Sequence, residues 1–134
     1  MKLISFNFTK ISIERLSDSL ENIKINSKIN IKDIELLDSS KSNDGLIKIT
    51  FSYHLEYAPK IANIDLEGRI VLVDAEEKIR EISEKWKDKK MTEEFRIVLF
   101  NLILKKANLK AMVLEEELKL PLHVPLPSIK PQKE

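Results

Sequence analysis

The chain has two histidines, His54 and His123, and these side chains are the best suited to proton transfer or metal binding near neutral pH. They are far apart in the sequence, and neither has a second histidine or a cysteine at the spacing of a metal site. His54 falls on the polar face of a predicted strand, where solvation is the expected role. We therefore predict no metal site and no histidine-based catalysis.

Phosphate-binding and nucleophilic chemistry are also poorly supported by the sequence. The two glycines, Gly45 and Gly68, are too far apart to form a phosphate-binding loop. No serine or aspartate stands in a recognisable nucleophile motif, and the carboxylates are spread along predicted helix faces. The sequence predicts a protein that is not an enzyme and that uses no cofactor.

The composition narrows the class of protein. The chain has 134 residues, 43% hydrophobic and 34% charged, with a formal net charge of +1, which is typical of one folded domain. The near-neutral charge gives no indication of membrane or nucleic-acid binding. The absence of cysteine excludes disulfides, and the start "MKLISFNF" is too short and too polar for a signal peptide. We expect a cytoplasmic protein.

The first half of the chain shows the two-residue period of β-strands, from about residue 3 to residue 74. Ile4, Phe6 and Phe8 share one face, but Ile11 and Ile13 are out of phase with them, which predicts either a bulge near 9–10 or a bend of the strand there. The third strand alternates cleanly and carries six apolar residues on one face: Ile47, Ile49, Phe51, Tyr53, Leu55 and Tyr57. In the fourth strand, Gly68 predicts a bulge or a close approach of another group.

The period becomes helical from about residue 75 to residue 117. Asp74 is the predicted N-cap of a first helix, and Thr92 opens a second, longer one. Between residues 95 and 104 the second helix is apolar around nearly its whole circumference, which indicates burial on two sides. One sheet covers only one side, so we predict a homo-oligomer. Its interface residues are predicted to be Phe95, Val98, Leu99, Phe100, Leu102 and Ile103.

Three consecutive glutamates, Glu115, Glu116 and Glu117, stand near the end of this helix, where the helix dipole disfavours negative charge. Glu115 is predicted to pair with Lys119, four residues further along. The pattern offers no role for the other two.

The order of elements predicts the fold class. Four consecutive strands followed by two helices indicate an α+β domain in which the helices cover one face of a four-stranded antiparallel sheet. We predict a single domain over residues 1–117. Residues 118–134 are predicted to form an extended proline-rich segment packed on that domain.

This C-terminal segment, "LKLPLHVPLPSIKP", combines strand-like alternation with prolines. Pro121, Pro125 and Pro127 are all at odd positions, so the missing N–H groups belong to one edge and the segment can pair on the other edge only. Its apolar side chains occupy the even positions. They either seal the core of the chain or a partner subunit, which is somewhat favoured, or line a groove for other chains.

These features resemble the SecB-like export chaperones. The stretch "FTKISIE" (8–14) is similar to the family's Thr-Lys-Asp-Ile-Ser-Phe-Glu, and "PLHVPLP" (121–127) matches the proline spacing of its Pro-x-Leu-x-Leu-x-Pro segment. The family's Cys-Pro connector is replaced here by "KDKKMTEEF" (87–95), and the family's helix after the proline segment is missing.

The resemblance implies an ATP-independent holdase that assembles as a dimer of dimers and binds unfolded or preprotein segments in apolar grooves. Glu14 is the one clear counterpart of the acidic residues with which the family docks on an export motor. The residues predicted to line the client groove are Leu120, Leu122, Val124, Leu126 and Ile129.

Two other functions remain open on the sequence. One is a non-chaperone homo-oligomeric interaction module, such as an adaptor or an antitoxin-associated protein. The other, less favoured, is weak nucleic-acid binding through Lys24, Lys28 and Lys32, which share a strand face. A solvated sheet surface explains these lysines more simply.

Overall fold

A computed structural model describes residues 1–37 and 44–127. In this range the chain forms four strands followed by two helices: β1 (Lys2–Arg15), β2 (Lys24–Leu37), β3 (Asp44–Ala58), β4 (Ala62–Ala75), α1 (Glu76–Lys87) and α2 (Glu93–Glu117). The strands form one antiparallel sheet in the order β1-β4-β3-β2, so β1 and β2 are its edges. The predicted α+β fold class is confirmed.

The core lies between the helices and one face of the sheet. The apolar side chains that alternate along β3, from Ile47 to Tyr57, are 0–1% exposed. The opposite face is polar. Across it Lys32 forms an ion pair with Glu67 and Lys48 one with Glu35 at 2.9 Å, and His54 Nδ1 lies 2.6 Å from Asp65 Oδ1. The period-two pattern therefore indicated correctly which face of β3 is buried.

Register shifts bend both edge strands. In β1 the pairing with β4 shifts between Phe8 and Lys10, which confirms the predicted bulge. Gly68, opposite Phe8, makes the predicted close approach, because an added Cβ would lie 2.7 Å from the Phe51 ring and 2.8 Å from the Asn7 carbonyl oxygen. In β2 the shift between Ile31 and Asp33 leaves Lys32 without a register partner.

The predicted N-cap is confirmed for α2 but is wrong for α1. Thr92 is the N-cap of α2, and its side chain accepts a hydrogen bond from the Phe95 N–H at 3.2 Å. Asp74 was predicted to cap α1, but the N-cap is Ala75, which makes no side-chain cap. Asp74 lies one residue too early, and its carboxylate instead accepts from the Ala75 N–H at 2.7 Å.

α2 presents two different faces. Its inner stripe repeats every three or four residues and is buried against the sheet: Phe95, Leu99, Ile103, Ala107, Ala111 and Leu114. Its outer side carries large apolar residues that are exposed in the single chain: Ile97, Val98, Leu109 and Val113. The all-round apolar character of this helix therefore has two sources, a stripe that the sheet covers and an outer face that the described residues leave open.

Candidate functional site

An open apolar groove lies between the edge strand β2 and the two helices. Ile29 and Ile31 line it from β2, Trp86 from the end of α1, Met91 from the connection, and Phe100 from α2. Ile29, Ile31, Met91 and Phe100 are partly buried and pack against the core, so the groove is an open extension of the core. We call this feature the groove.

The groove runs along the open edge of β2. Four consecutive residues, 29–32, contact it, although successive strand residues point to opposite faces of a sheet. A surface that touches all four must reach the strand edge. Among the described strands β2 pairs only with β3, so the groove lies beside backbone N–H and C=O groups that another extended chain can bond.

Trp86 forms part of the groove wall and has an unusual environment. The residue is 9% exposed, and its indole N–H has no acceptor among the described residues. The Lys89 ammonium lies 4.6 Å from the centre of the indole ring. Lys89 lies in the turn that follows α1. Its φ is 57°, and its backbone N–H donates to the Trp86 carbonyl at 2.8 Å.

After α2 the chain turns back across the domain as an arm, residues 118–127. Leu118 caps the helix, and Lys119 takes a left-handed φ of 55° that reverses the chain direction. Leu120 is 6% exposed and belongs to the core. Two hydrogen bonds fix the start of the arm, from Arg15 Nη1 to the Leu118 carbonyl at 2.9 Å and from Tyr57 Oη to the Pro121 carbonyl at 3.2 Å.

A buried polar cluster holds the middle of the arm against α2. The Glu115 carboxylate, on a residue that is 0% exposed, accepts from the His123 backbone N–H at 3.0 Å and lies 2.9 Å from His123 Nδ1. His123 Nε2 lies 2.9 Å from Asn108 Oδ1, which also accepts from Tyr53 Oη at 3.0 Å. We call Tyr53, Asn108, Glu115 and His123 the latch.

The latch joins the buried Glu115 carboxyl group to an imidazole, an amide and a phenol. The two ring nitrogens of His123 lie beside oxygens of Glu115 on one side and of Asn108 on the other. Burial raises the pKa of Glu115, and the hydrogen bonds and charge of His123 act in the opposite direction. Burial and the nearby Glu115 carboxylate raise the pKa of Tyr53 to about 12, so its hydroxyl stays a donor.

The predicted pairing of Glu115 with Lys119 is wrong, because Glu115 contacts His123 instead. The reversal of the chain at Lys119 carries that lysine away, and its ammonium lies 3.9 Å from Glu116 instead. Sequence spacing could not reveal the true partner, because the arm must first fold back to bring His123 beside Glu115. Glu117 is exposed and has no explained role.

The residues predicted to line a client groove lie in different surroundings along the arm. Leu120 is buried and seals the core, while Leu122 and Val124 are half-buried. Leu126 is 57% exposed. Ile129 lies outside the described residues. The groove at β2 is a separate surface, and of its residues the sequence analysis had singled out only Phe100, as an interface residue, and Lys32, as part of the lysine face.

The residues predicted for the oligomer interface separate into two groups. Phe95, Leu99 and Ile103 are 4% exposed or less and contact the chain's own core, so they serve the fold of the single chain. Val98 is 44% exposed, and Phe100 and Leu102 are partly exposed, so these three are within reach of a partner. The predicted docking residue, Glu14, is exposed on the edge strand β1.

Metal sites and membrane-spanning helices are two further features that the described residues bear on. No group of three or more histidine or carboxylate side chains in residues 1–37 and 44–127 is arranged to hold a metal ion. Within the same ranges, no helix has both the length and the apolar character needed to cross a bilayer.

The fold is similar to that of a SecB-like chaperone from Mycobacterium tuberculosis, whose structure was determined in complex with a ChAD peptide from the HigA1 antitoxin. The TM-score is 0.54 at 11% sequence identity, and the match covers 98% of this chain and 92% of the other. No family model and no curated protein matches the sequence. The resemblance noted from the sequence therefore holds at the level of the fold, and the similar structure belongs to a chaperone that binds a peptide, not to an enzyme.

Proposed function

We propose that this protein is an ATP-independent holdase that binds non-native polypeptide segments. The observation that carries the proposal is the groove, which combines apolar walls with the open edge of β2. Apolar surface that a single folded chain leaves exposed beside its core typically binds other chains. The similar fold of a chaperone solved with a bound peptide supports the proposal.

The physical basis of binding is the same as that of folding. An unfolded segment exposes apolar side chains, and their burial against Ile31, Trp86 and Phe100 is favourable by ~25 cal/mol per Å². The segment's backbone can bond the free edge of β2, as in other cases of strand addition. Holding the unfolded state in this way lowers the concentration that can aggregate.

The arm is a second candidate for client contact. Leu122, Val124 and Leu126 keep part of their surface exposed, as a role in a groove requires. Prolines hold such a segment extended at low entropic cost. The latch, however, fixes His123 in the middle of this segment, so we assign the arm the smaller share of client binding.

We further propose that the chain assembles through the outer face of α2, as a dimer of dimers. Ile97, Val98, Leu109 and Val113 are each 44–59% exposed, and together they leave an apolar helix face open along most of α2. A second copy that covers this face would bury it as a sheet buries the inner stripe. Light scattering should find an oligomer for the natural chain and a smaller particle for Val98→Lys with Leu109→Lys.

The holdase proposal is tested by aggregation of a chemically unfolded client. The double variant Met91→Ser with Phe100→Ser replaces two apolar side chains of the groove by serine. The double variant Leu122→Ser with Leu126→Ser makes the same kind of replacement in the arm. We expect the groove pair to lose most of the suppression of aggregation and the arm pair to lose less, with melting curves measured on the same samples. If the natural protein does not delay aggregation at all, the holdase proposal is wrong.

A more specialised role is the alternative, because the similar chaperone is bound to a segment of one antitoxin. An interaction module of this kind would bind one dedicated partner and would not protect general clients. Several unrelated unfolded clients, tested in parallel, distinguish the two: a holdase delays the aggregation of most of them. Delivery to an export motor through Glu14, and work in the cytoplasm, stay further proposals, and Glu14→Ala should affect delivery without affecting holding.

A further inference from the structure

The charged residues that line the groove are both cations. Lys32 from β2 and Lys89 from the turn after α1 contact it, and no carboxylate lines it within residues 1–37 and 44–127. Lys32 is largely neutralised, because its ammonium pairs with Glu67 on the other face of the sheet. Lys89 is therefore the main source of uncompensated charge at the groove.

The stretch around Lys89 reinforces this positive charge. Residues 85–91 read "KWKDKKM", with four lysines and one aspartate. Lys87 pairs with Glu84 at 2.9 Å, whereas Lys85, Lys89 and Lys90 have no ion-pair partner among the described residues. On the other side of Phe100, a neighbouring depression contains Glu93 and Arg96, whose charges cancel. The charged side chains that line the groove within residues 1–37 and 44–127 are thus positive, although the chain as a whole is nearly neutral.

Local structure holds the Lys89 charge at the wall of the groove. Its left-handed φ of 57° and its N–H bond to Trp86 close the turn, and the ammonium lies over the indole ring at 4.6 Å. An ammonium in this position interacts with the ring face and keeps its charge beside apolar surface, where solvent screening is weaker than in open water.

We propose that the groove selects extended apolar segments flanked by aspartate or glutamate over the same segments flanked by lysine or arginine. Carboxylates beside the bound apolar residues would face Lys89 and its neighbouring lysines, whereas flanking cations would be repelled by them. This preference rests on the proposed function, because it states which segments the groove accepts. Each exposed pair contributes little, so we expect an acid-flanked segment to bind roughly three- to tenfold tighter at low salt.

The single tryptophan of the chain is itself part of the groove and reports on its occupancy. The probes are two synthetic peptides without tryptophan that share one apolar centre and carry either aspartate and glutamate or lysine at both ends. Dissociation constants are measured from Trp86 emission at low and at high salt. We expect the acid-flanked peptide to bind tighter, and the difference to shrink as salt is added.

Three variants test whether Lys89 causes the preference for acid-flanked segments. Lys89→Met keeps an apolar side chain over Trp86 and should reduce the difference in affinity between the two peptides. Lys89→Glu should reverse the order of the two affinities. Lys106→Glu, an exposed position further along α2, is the control for the change in net charge and should leave the order of affinities unchanged. Circular dichroism of each variant confirms that it is folded.

The outcomes separate this inference from the proposed function. If both peptides bind equally well, or the lysine-flanked peptide binds tighter, the charge preference is wrong while client binding stands. If the same reversal appears in Lys106→Glu, the overall charge and not Lys89 sets the order, and the inference also fails. If neither peptide changes Trp86 emission and no client is protected, the proposed function fails with it.

Discussion

The groove and the latch are built in opposite ways within one chain. The groove is open and adjacent to unpaired strand edge, and most of the side chains that line it are apolar, with Asn30, Lys32 and Lys89 as the polar ones. In the latch, the side chains of Tyr53, Asn108, Glu115 and His123 make three mutual contacts of 2.9–3.0 Å, and the Glu115 carboxylate also accepts from the His123 backbone N–H at 3.0 Å. One region leaves an open surface, and the other uses its polar groups on one another.

This difference indicates different tasks. Directional hydrogen bonds between buried groups stabilise one arrangement, because every displaced geometry leaves a buried polar group unpaired. Apolar contacts are non-directional and accept many side chains. The latch therefore suits a segment that must keep one position, and the groove suits partners of varied sequence. Changes at the latch should affect stability, and changes at the groove should affect binding.

The largest effect on stability is expected from His123→Ala. This change removes the imidazole and leaves the Glu115 carboxylate buried with only the His123 backbone N–H as a donor. Leaving a buried charged group without one of its hydrogen-bond partners typically costs about 2–3 kcal/mol or more. The free energy of unfolding, measured in urea near neutral pH, should fall by that order.

Glu115→Gln is the matched control for this change. An uncharged glutamine has nearly the same shape, accepts from the His123 N–H and donates to a neutral imidazole, so its cost should stay within about 1 kcal/mol. If both variants lose equally little stability, the latch does not hold the arm, and the contrast with the groove disappears.

A smaller change in the free energy of unfolding is expected when the pH is varied. Because burial raises the pKa of Glu115 in the native state above its ordinary 4.5, the native state binds this proton more tightly than the unfolded chain does. As the pH rises from 4.5 through the native pKa, the unfolded chain loses its proton first, and the contribution of this group to stability falls. His123 opposes this loss by favouring the carboxylate.

The two variants should therefore diverge from the natural chain in opposite directions as the pH rises. The deficit of His123→Ala should grow between mildly acidic and neutral pH, because the carboxylate then ionises without its partner. Glu115→Gln, which cannot ionise, should gain relative to the natural chain over the same interval. Unfolding free energies at several pH values check both trends, and a deficit of His123→Ala that shrinks towards neutral pH would contradict the assigned role of Glu115.

The sequence predicted those parts of the fold that local patterns determine. The alternation from Ile47 to Tyr57 identified the buried face of β3, the phase change after Phe8 identified a bulge, and Thr92 identified the start of α2. Each of these depends on residues only a few positions apart. Asp74 was assigned as a cap because its residue type is typical of one, but the helix begins one residue too late for it.

The two functional regions depend on contacts between distant parts of the chain, and the sequence predicted them poorly. Glu115 was assigned to Lys119 by spacing alone, because the fold-back that brings His123 to it has no local signal. Phe100 was predicted only as an interface residue, and it also lines the groove beside β2, which comes from a distant part of the chain.

The smallest effect on stability is expected at the groove, from Lys89→Met. The methionine retains an apolar stem over Trp86 and loses only the ammonium, whose interaction with the ring at a partly exposed site is worth about 0.5–1 kcal/mol. The urea midpoint should therefore move far less than in His123→Ala, while Trp86 emission changes because a charge 4.6 Å from the ring centre is gone. A loss of stability as large as that at the latch would mean that Lys89 holds the fold together. The turn at Lys89 would then belong with the latch as part of the scaffold, and the groove would no longer be a surface whose charge can change without cost to the fold.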